Sequence, residues 1–149
     1  MSLATKLQRA ALLWAERGRM RVVSRIRDHY LAGAALKRRT GTAARSVTSE
    51  ILPSGDGFRV GTNLSYLIAW EYGIRARTIV PRNAQALRFQ VNGKWIFAKR
   101  AHIPAQAARP SFAPAMLDEE PYLRQSAQNL MFGVMVAHFP NRRIVIGGR

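Results

Sequence analysis

The sequence predicts an α+β fold, in which a small antiparallel sheet is packed by a long N-terminal helix, a short central helix and a C-terminal helix. Apolar residues recur at helical spacing near both ends of the chain, over residues 3–32 and 121–139. Between them, pairs of β-prone runs flank turn-forming residues, which is the pattern of antiparallel hairpins. The 149 residues suit a single domain, divided into an N-terminal helix (1–33), an α+β core (40–117), a C-terminal helix (121–139) and a terminal strand or arm (142–149).

The N-terminal helix carries two apolar stripes. The first runs from Leu3 to Trp14, and the second, from Val22 to Tyr30, lies on a rotated face. The shift occurs near Gly18, so either the helix bends there or it buries one face early and another late. Gly33 is predicted to end it.

Two hairpins are predicted in the core. Residues 47–53 and 57–64 form the first, and the second joins residues 86–91 to 94–98 through Asn92-Gly93, where a type I′ turn requires positive φ at both positions. Its aromatic residues, Trp95 and Phe97, are expected to pack in the core. The short helix follows the first hairpin, with Asn63 or Ser65 as its cap and Gly73 at its end. Residues 101–109 are predicted as a loop.

The last helix is predicted to begin at Pro121, because proline suits a first helical turn. Asp118, Glu119 and Glu120 would then lie just before it, next to the positive end of the helix dipole.

The charge of the chain is unusual. It has 24 Lys and Arg against 8 Asp and Glu, a net charge of +16, which predicts attraction to phosphate or to an acidic protein surface. Residues 1–39, including the triplet Lys37-Arg38-Arg39, hold ten of the cations. Residues 72–117 hold eight cations and no acid, and Glu71 lies just before them. The chain has no cysteine, its three histidines are far apart, and no apolar run reaches membrane-spanning length, so we expect no metal, no cofactor and no membrane contact. No catalytic constellation is recognisable, and a non-enzymatic protein is expected.

A set of motifs resembles the tail-component family of tailed bacteriophages, which are small neck or tail-completion proteins of long-tailed, non-contractile phages. The matching positions around the short helix are Gly61, Thr62, Asn63, Tyr66, Glu71, Tyr72 and Gly73. Further matches precede and follow them in the family's order: Thr40, Gly41, Arg45, Ser46, Val47, Ile79, Pro81, Ala86, Leu87, Phe89, Gly93, His102, Pro104, Arg109, Pro110 and Phe112. The chain departs from the family in two places: His102-Ile103-Pro104-Ala105 stands where the family often has His-Pro-Gly, and Ser111 intervenes before Phe112.

The resemblance implies a structural protein of the virion tail or neck, present in the host cytoplasm during assembly. Such a protein would form a homo-oligomeric ring, bind the connector and tail-tube proteins, and touch the phage genome DNA without sequence preference. The alternative is a small basic nucleic-acid-binding protein, which should interleave aromatic and basic residues on one surface; Trp95 and Phe97 are the aromatic residues that would serve this alternative, in place of the core packing expected above.

Two charge interactions are expected at the ring interface. Glu71 is predicted to pair with Arg75, Arg77 or Arg109, within or between subunits. The basic loop of residues 74–84 is predicted to meet Asp118, Glu119 and Glu120 of a neighbouring subunit, unless these acids serve only their own helix terminus.

Overall fold

The computed structural model describes residues 1–36 and 40–140, and they form the predicted α+β fold. Its helices are α1 (Leu3–Arg25), which continues as a π-helical segment (Ile26–Ala34), α2 (Thr42–Ser46), α3 (Ser65–Tyr72) and α4 (Phe112–His138). Its strands are β1 (Val47–Ile51), β2 (Phe58–Thr62), β3 (Arg77–Ile79), β4 (Leu87–Val91), β5 (Lys94–Ala98) and β6 (Ala101–Ile103). The predicted strand or arm at 142–149 and the triplet at 37–39 lie outside the described residues.

The described strands form three two-stranded antiparallel ribbons, β1–β2, β3–β6 and β4–β5, where the sequence predicted one sheet. Helix α3 directly follows β2, and all later strands pair among themselves. Residues 101–109 were predicted as a loop, but the first three, Ala101–Ile103, form strand β6, which pairs with β3. Such a non-local partner leaves no signal in so short a run of residues.

Helix α1 runs unbroken through Gly18, and its regular α-helical form ends only at Ile26. A Cβ atom on Gly18 would lie 2.8 Å from side-chain atoms of both Phe58 and Leu123. Glycine therefore permits close packing of α1 against β2 and α4 at this point. Of the two alternatives, the structure supports a helix that buries different faces along its length.

One core joins the helices to the first ribbon. It contains buried side chains from α1, the π-helical segment, β1, α3 and α4, namely Val22, Val23, Ile26, Leu31, Val47, Leu67, Ala115 and Leu123. Trp14, Phe58 and Phe112 pack against this cluster from its margins. Burial of these apolar side chains is the main contribution that stabilises the fold.

The predicted start of the last helix at Pro121 is wrong. Helix α4 begins at Phe112 and passes through Pro121, which cannot donate the usual helical hydrogen bond. Contacts with α1 hold the helix on both sides of the proline. Glu119 accepts hydrogen bonds from Arg21 and Arg25, and the carbonyl oxygen of Leu123 accepts one from Trp14 Nε1 at 2.9 Å.

Candidate assembly interface

Helix α3 holds the beginning of helix α4 through Glu71. Its carboxylate accepts hydrogen bonds from the backbone N–H groups of Ser111 at 2.7 Å, Phe112 at 3.2 Å and Ala113 at 3.0 Å. These groups have no partner within their own helix, and the negative charge sits at the positive end of the helix dipole. The Ser111 side chain makes no capping bond, so Glu71 supplies the cap from another helix.

The predicted ion pair of Glu71 with an arginine is therefore wrong within this chain. No salt bridge joins Glu71 to another side chain in the described part of the chain, and its oxygens are occupied by backbone donors. Arg109 instead places its guanidinium 5.1 Å from the ring centroid of Trp70, while its backbone N–H donates to the Trp70 carbonyl at 2.7 Å. Arg75 and Arg77 lie exposed beyond α3.

The segment that leaves α3 and the segment that enters α4 run side by side, and we call this region, with the ends of both helices, the joint. Ile74 and Gln106 exchange two backbone hydrogen bonds of 2.9 and 2.8 Å. Gly73 has a φ of +82°, as predicted for the residue that ends the helix. A Cβ atom there would also lie 3.0 Å from the Gln106 carbonyl oxygen and 3.1 Å from the Ala108 nitrogen. Glycine is needed at this position for both its conformation and its small size.

Some of the resemblance positions lie at this joint or in a groove beside it, and others lie elsewhere on the chain. Glu71, Gly73, Arg109, Pro110 and Phe112 belong to the joint. The groove between β2, α3 and α4 is lined partly by Gly61, Thr62 and Tyr72, together with Glu71 and Phe112 of the joint. Asn63 and Tyr66 are exposed, and Pro81 is half-buried further along the chain. Asn63 and Ser65 were predicted to cap α3, but neither does; Thr62 Oγ1 accepts the Leu64 N–H at 3.2 Å just before it.

Residues 74–106 form a long antiparallel hairpin, which we call the arm. Its pairing begins at Ile74 and Gln106, continues through β3–β6, and ends in β4–β5. At the tip, Asn92 and Gly93 have φ values of 49° and 80° and join paired residues Val91 and Lys94, so the predicted type I′ turn is confirmed. The four strands are largely exposed, and none packs extensively against a helix.

The register of β4–β5 gives the outer half of the arm two unlike faces, because directly paired residues point to the same side. The apolar face consists of Leu87, Phe89, Val91, Ile96 and Ala98, with Lys94 beside the tip. The aromatic–basic face consists of Arg88, Gln90, Trp95 and Phe97. The expectation that Trp95 and Phe97 pack in the core is wrong, since they are 55% and 66% exposed.

The acidic group on α4 serves this chain's own packing. Glu119 is only 4% exposed, and its carboxylate accepts hydrogen bonds from Arg21 at 2.7 Å and Arg25 at 3.2 Å. Asp118 accepts the Tyr30 hydroxyl at 2.7 Å, which raises the pKa of that phenol, and Glu120 pairs with Arg124. Glu119 is thus unavailable to a neighbouring subunit, and the acids do not precede the helix as predicted. An interface role for the exposed Asp118 and Glu120 stays a prediction.

Comparison of the chain with known protein families, with curated proteins and with solved structures found no match.

Two further observations concern residues 1–36 and 40–140. Their His, Asp and Glu side chains include no group of three or more placed to hold a metal ion. None of the helices in these two ranges has the length and apolar character needed to cross a membrane. The most distinctive feature of the described chain is the arm. It has two exposed faces, and it begins at the joint, which contains several of the resemblance positions.

Sequence reasoning missed two parts of this arrangement. It did not connect Glu71 with the start of α4, although Ser111 followed by Pro114 was an available signal for a helix start. It also treated the apolar residues of the second hairpin as core, because alternation shows which residues share a face but not whether that face is covered.

Proposed function

We propose that this protein is a structural component of a phage neck or tail, similar to tail-completion and head–tail joining proteins. It acts by forming a homo-oligomeric ring and by binding connector and tail-tube proteins, with no chemical step. Its place is the virion, and it is present in the host cytoplasm during assembly. The proposal is supported by motifs that follow one another in the order typical of the tail-component family. Several of these motif residues lie at the joint, where the arm begins.

The single observation that carries the proposal is the exposed apolar face of the arm. A two-stranded ribbon is at best marginally stable in water without a third strand or a packed face. Here Phe89, Val91 and Ile96 all remain substantially exposed on one side of the ribbon. A contiguous apolar surface of this kind marks an interaction site.

A closed ring requires that one surface of a subunit meets a different surface of the next. The apolar face of the arm supplies the first surface. The groove between β2, α3 and α4 supplies a suitable second one, because exposed Ile68 and Tyr72 lie beside buried Leu67. In this arrangement the arm of one subunit packs into the groove of its neighbour, and the acidic residues of α4 are not required.

The test is the oligomeric state of the purified chain, measured by sedimentation velocity over a concentration series and by electron microscopy. We expect a closed oligomer to form as the concentration rises. The double variant Phe89→Ala with Ile96→Ala should remain monomeric but folded. The matched control, Trp95→Ala with Phe97→Ala, changes the opposite face of the same strands and should still assemble.

Two outcomes would contradict the proposal. One is a wild-type chain that stays monomeric at the highest attainable concentration. The other is an oligomer that forms equally well in the wild type and in the Phe89→Ala, Ile96→Ala variant, since the interface would then lie elsewhere.

A further inference from the structure

The aromatic–basic face of the arm has a chemistry that ring assembly does not use. Trp95 and Phe97 are alternate residues of β5, so their rings stand on the same side of the ribbon. Two residues of a strand span about 7 Å, which places the rings in a row along the strand. Both are more than half exposed. Burial in this chain's own core therefore does not account for these two large aromatic side chains.

The face is held in a defined arrangement by its polar members. The Arg88 guanidinium lies 3.9 Å from the centroid of the Trp95 ring, a cation–π contact that orders the indole. Gln90 donates to the Gly93 carbonyl at 3.0 Å and ties the strand to the tip. Ordering the side chains before binding lowers the entropy cost of binding a ligand.

The charge of the arm as a whole favours a polyanion, and Arg88 lies on the aromatic–basic face itself. The arm carries seven Lys and Arg residues and no acid: Arg75, Arg77, Arg82, Arg88, Lys94, Lys99 and Arg100. A second arm would bring the same positive charge and be repelled.

The rest of the chain offers the arm little negative charge. Seven of its eight acidic side chains already accept bonds from donors of the same chain: Glu16, Glu50, Asp56, Glu71, Asp118, Glu119 and Glu120. A second copy is therefore a poor partner for this face, and the negative charge has to come from a different molecule.

We propose that the aromatic–basic face binds single-stranded nucleic acid, with unpaired bases stacked on Trp95 and Phe97 and phosphates beside the surrounding cations. Exposed aromatic side chains on strands, together with a basic surface, are how several sheet proteins bind unpaired strands. An acidic protein would satisfy the cations but would leave two flat rings without bases to stack on. This inference goes beyond the proposed function, and it holds or fails independently of ring assembly.

The test is binding of the full chain to a labelled oligothymidine strand, followed by fluorescence anisotropy near physiological salt. Three comparison probes have the same length: a duplex, an abasic strand and polyglutamate. We expect oligothymidine to bind more tightly than each of them. Trp95→Ala and Phe97→Ala should each weaken oligothymidine binding by about 5- to 150-fold, and Trp95→Phe should retain most of it.

Salt dependence separates stacking from charge. Trp95→Ala removes no charge, so the slope of log affinity against log salt should not change. Lys99→Gln should reduce that slope by about 0.7 for each phosphate that the lysine had neutralised, whereas Lys94→Gln, on the opposite face, should change it less. The Phe89→Ala, Ile96→Ala variant is the matched control, because it alters the opposite face and should bind oligothymidine as the wild type does.

The proposal is overturned if the abasic strand or polyglutamate binds as tightly as oligothymidine, which would indicate a surface selective only for negative charge. It is also overturned if a duplex binds more tightly than the single strand. Unchanged oligothymidine affinity in Trp95→Ala and Phe97→Ala, with the ribbon intact by NMR, would have the same consequence.

Discussion

Glu71 joins two helices with one carboxylate, and its removal has a defined cost. Glu71→Ala leaves N–H groups at the start of α4 without their acceptor, and we expect the free energy of unfolding to fall by about 1–3 kcal/mol. Glu71→Gln should lose less, because the amide oxygen still accepts a hydrogen bond. Glu50→Ala is the control, since Glu50 and Arg59 form a pair whose side chains are 63% and 65% exposed, and it should cost about 0–1 kcal/mol. Equal losses in urea denaturation for Glu71→Ala and Glu50→Ala would contradict the capping role.

Tyr30 links stability to alkaline pH. Its hydroxyl donates to Asp118, and this hydrogen bond, followed by desolvation and the nearby negative charge, raises the pKa of the phenol. A pKa that is higher in the folded state means that the contribution is fully present below the unfolded pKa of about 10 and is lost as pH rises through the folded pKa. As the pH rises above about 10, the wild type should lose stability more steeply than Tyr30→Phe. Tyr72→Phe, which changes a side chain that is 82% exposed, should follow the wild type, and identical curves for all three proteins would exclude the effect.

At the scale of elements, the arm is a hairpin whose two ends differ in how tightly they are built. Gly73 at the base and Gly93 at the tip both have positive φ, +82° and +80°, but Gly73 also has a ψ of 169°, a backbone region that essentially only glycine adopts, so alanine there costs about 1–3 kcal/mol from conformation alone. Only at Gly73 would the new Cβ approach backbone atoms of the opposite chain, whereas at Gly93 nothing lies within 4 Å. We therefore expect Gly73→Ala to lower the melting temperature of the whole domain and Gly93→Ala to perturb only the ribbon.

Hydrogen exchange measured on both glycine variants separates these effects. In Gly73→Ala the amides at the start of α4 should exchange faster, because the joint shares its backbone with this helix. In Gly93→Ala the faster exchange should be confined to β4 and β5. A Gly73→Ala protein with unchanged α4 protection would show that the joint tolerates the extra methyl group.

For the whole molecule, the packing of α4 on α1 determines whether the domain folds. Glu119 is 4% exposed and lies between Arg21 and Arg25, whose side chains are 48% and 39% exposed, so removing its charge should cost less than the roughly 3–5 kcal/mol of a fully buried pair. Glu119→Lys also adds a third cation, so we expect it to unfold much of the population, given total stabilities of about 5–15 kcal/mol. Glu120→Lys alters an exposed pair four residues apart on α4, and its cost should be about 0.3–0.5 kcal/mol.

Circular dichroism melting curves of these two variants check the prediction, and similar melting temperatures would contradict it. The expected unfolding of Glu119→Lys also limits which variants can be used to test assembly. A variant in which Asp118, Glu119 and Glu120 all become lysine would lose the fold together with any interface. Asp118→Lys with Glu120→Lys leaves Glu119 in place and is the variant that can examine the exposed acids at an interface.

Features that depend on local chemistry could be predicted from the amino-acid sequence. The α+β class, the long helix from Leu3, the first hairpin and the turn at Asn92-Gly93 follow from apolar periodicity and from residues that tolerate positive φ. Gly73 was recognisable for the same reason. These features need only interactions among neighbouring residues, which are visible in a short stretch of chain.

The remaining features required the folded chain, because each depends on partners that are distant in the sequence. Pro121 lies inside a helix since Arg21, Arg25 and Trp14 hold that helix on both sides of it. Glu71 caps a helix that begins about forty residues later in the chain, where its carboxylate meets free N–H groups. The pairing register placed Phe89 and Trp95 on opposite faces of one ribbon, and the absence of a covering layer over that ribbon in the described structure left both faces exposed. Apolar alternation is the same in a covered and an uncovered strand, so burial could be learned only from the packing of the whole chain.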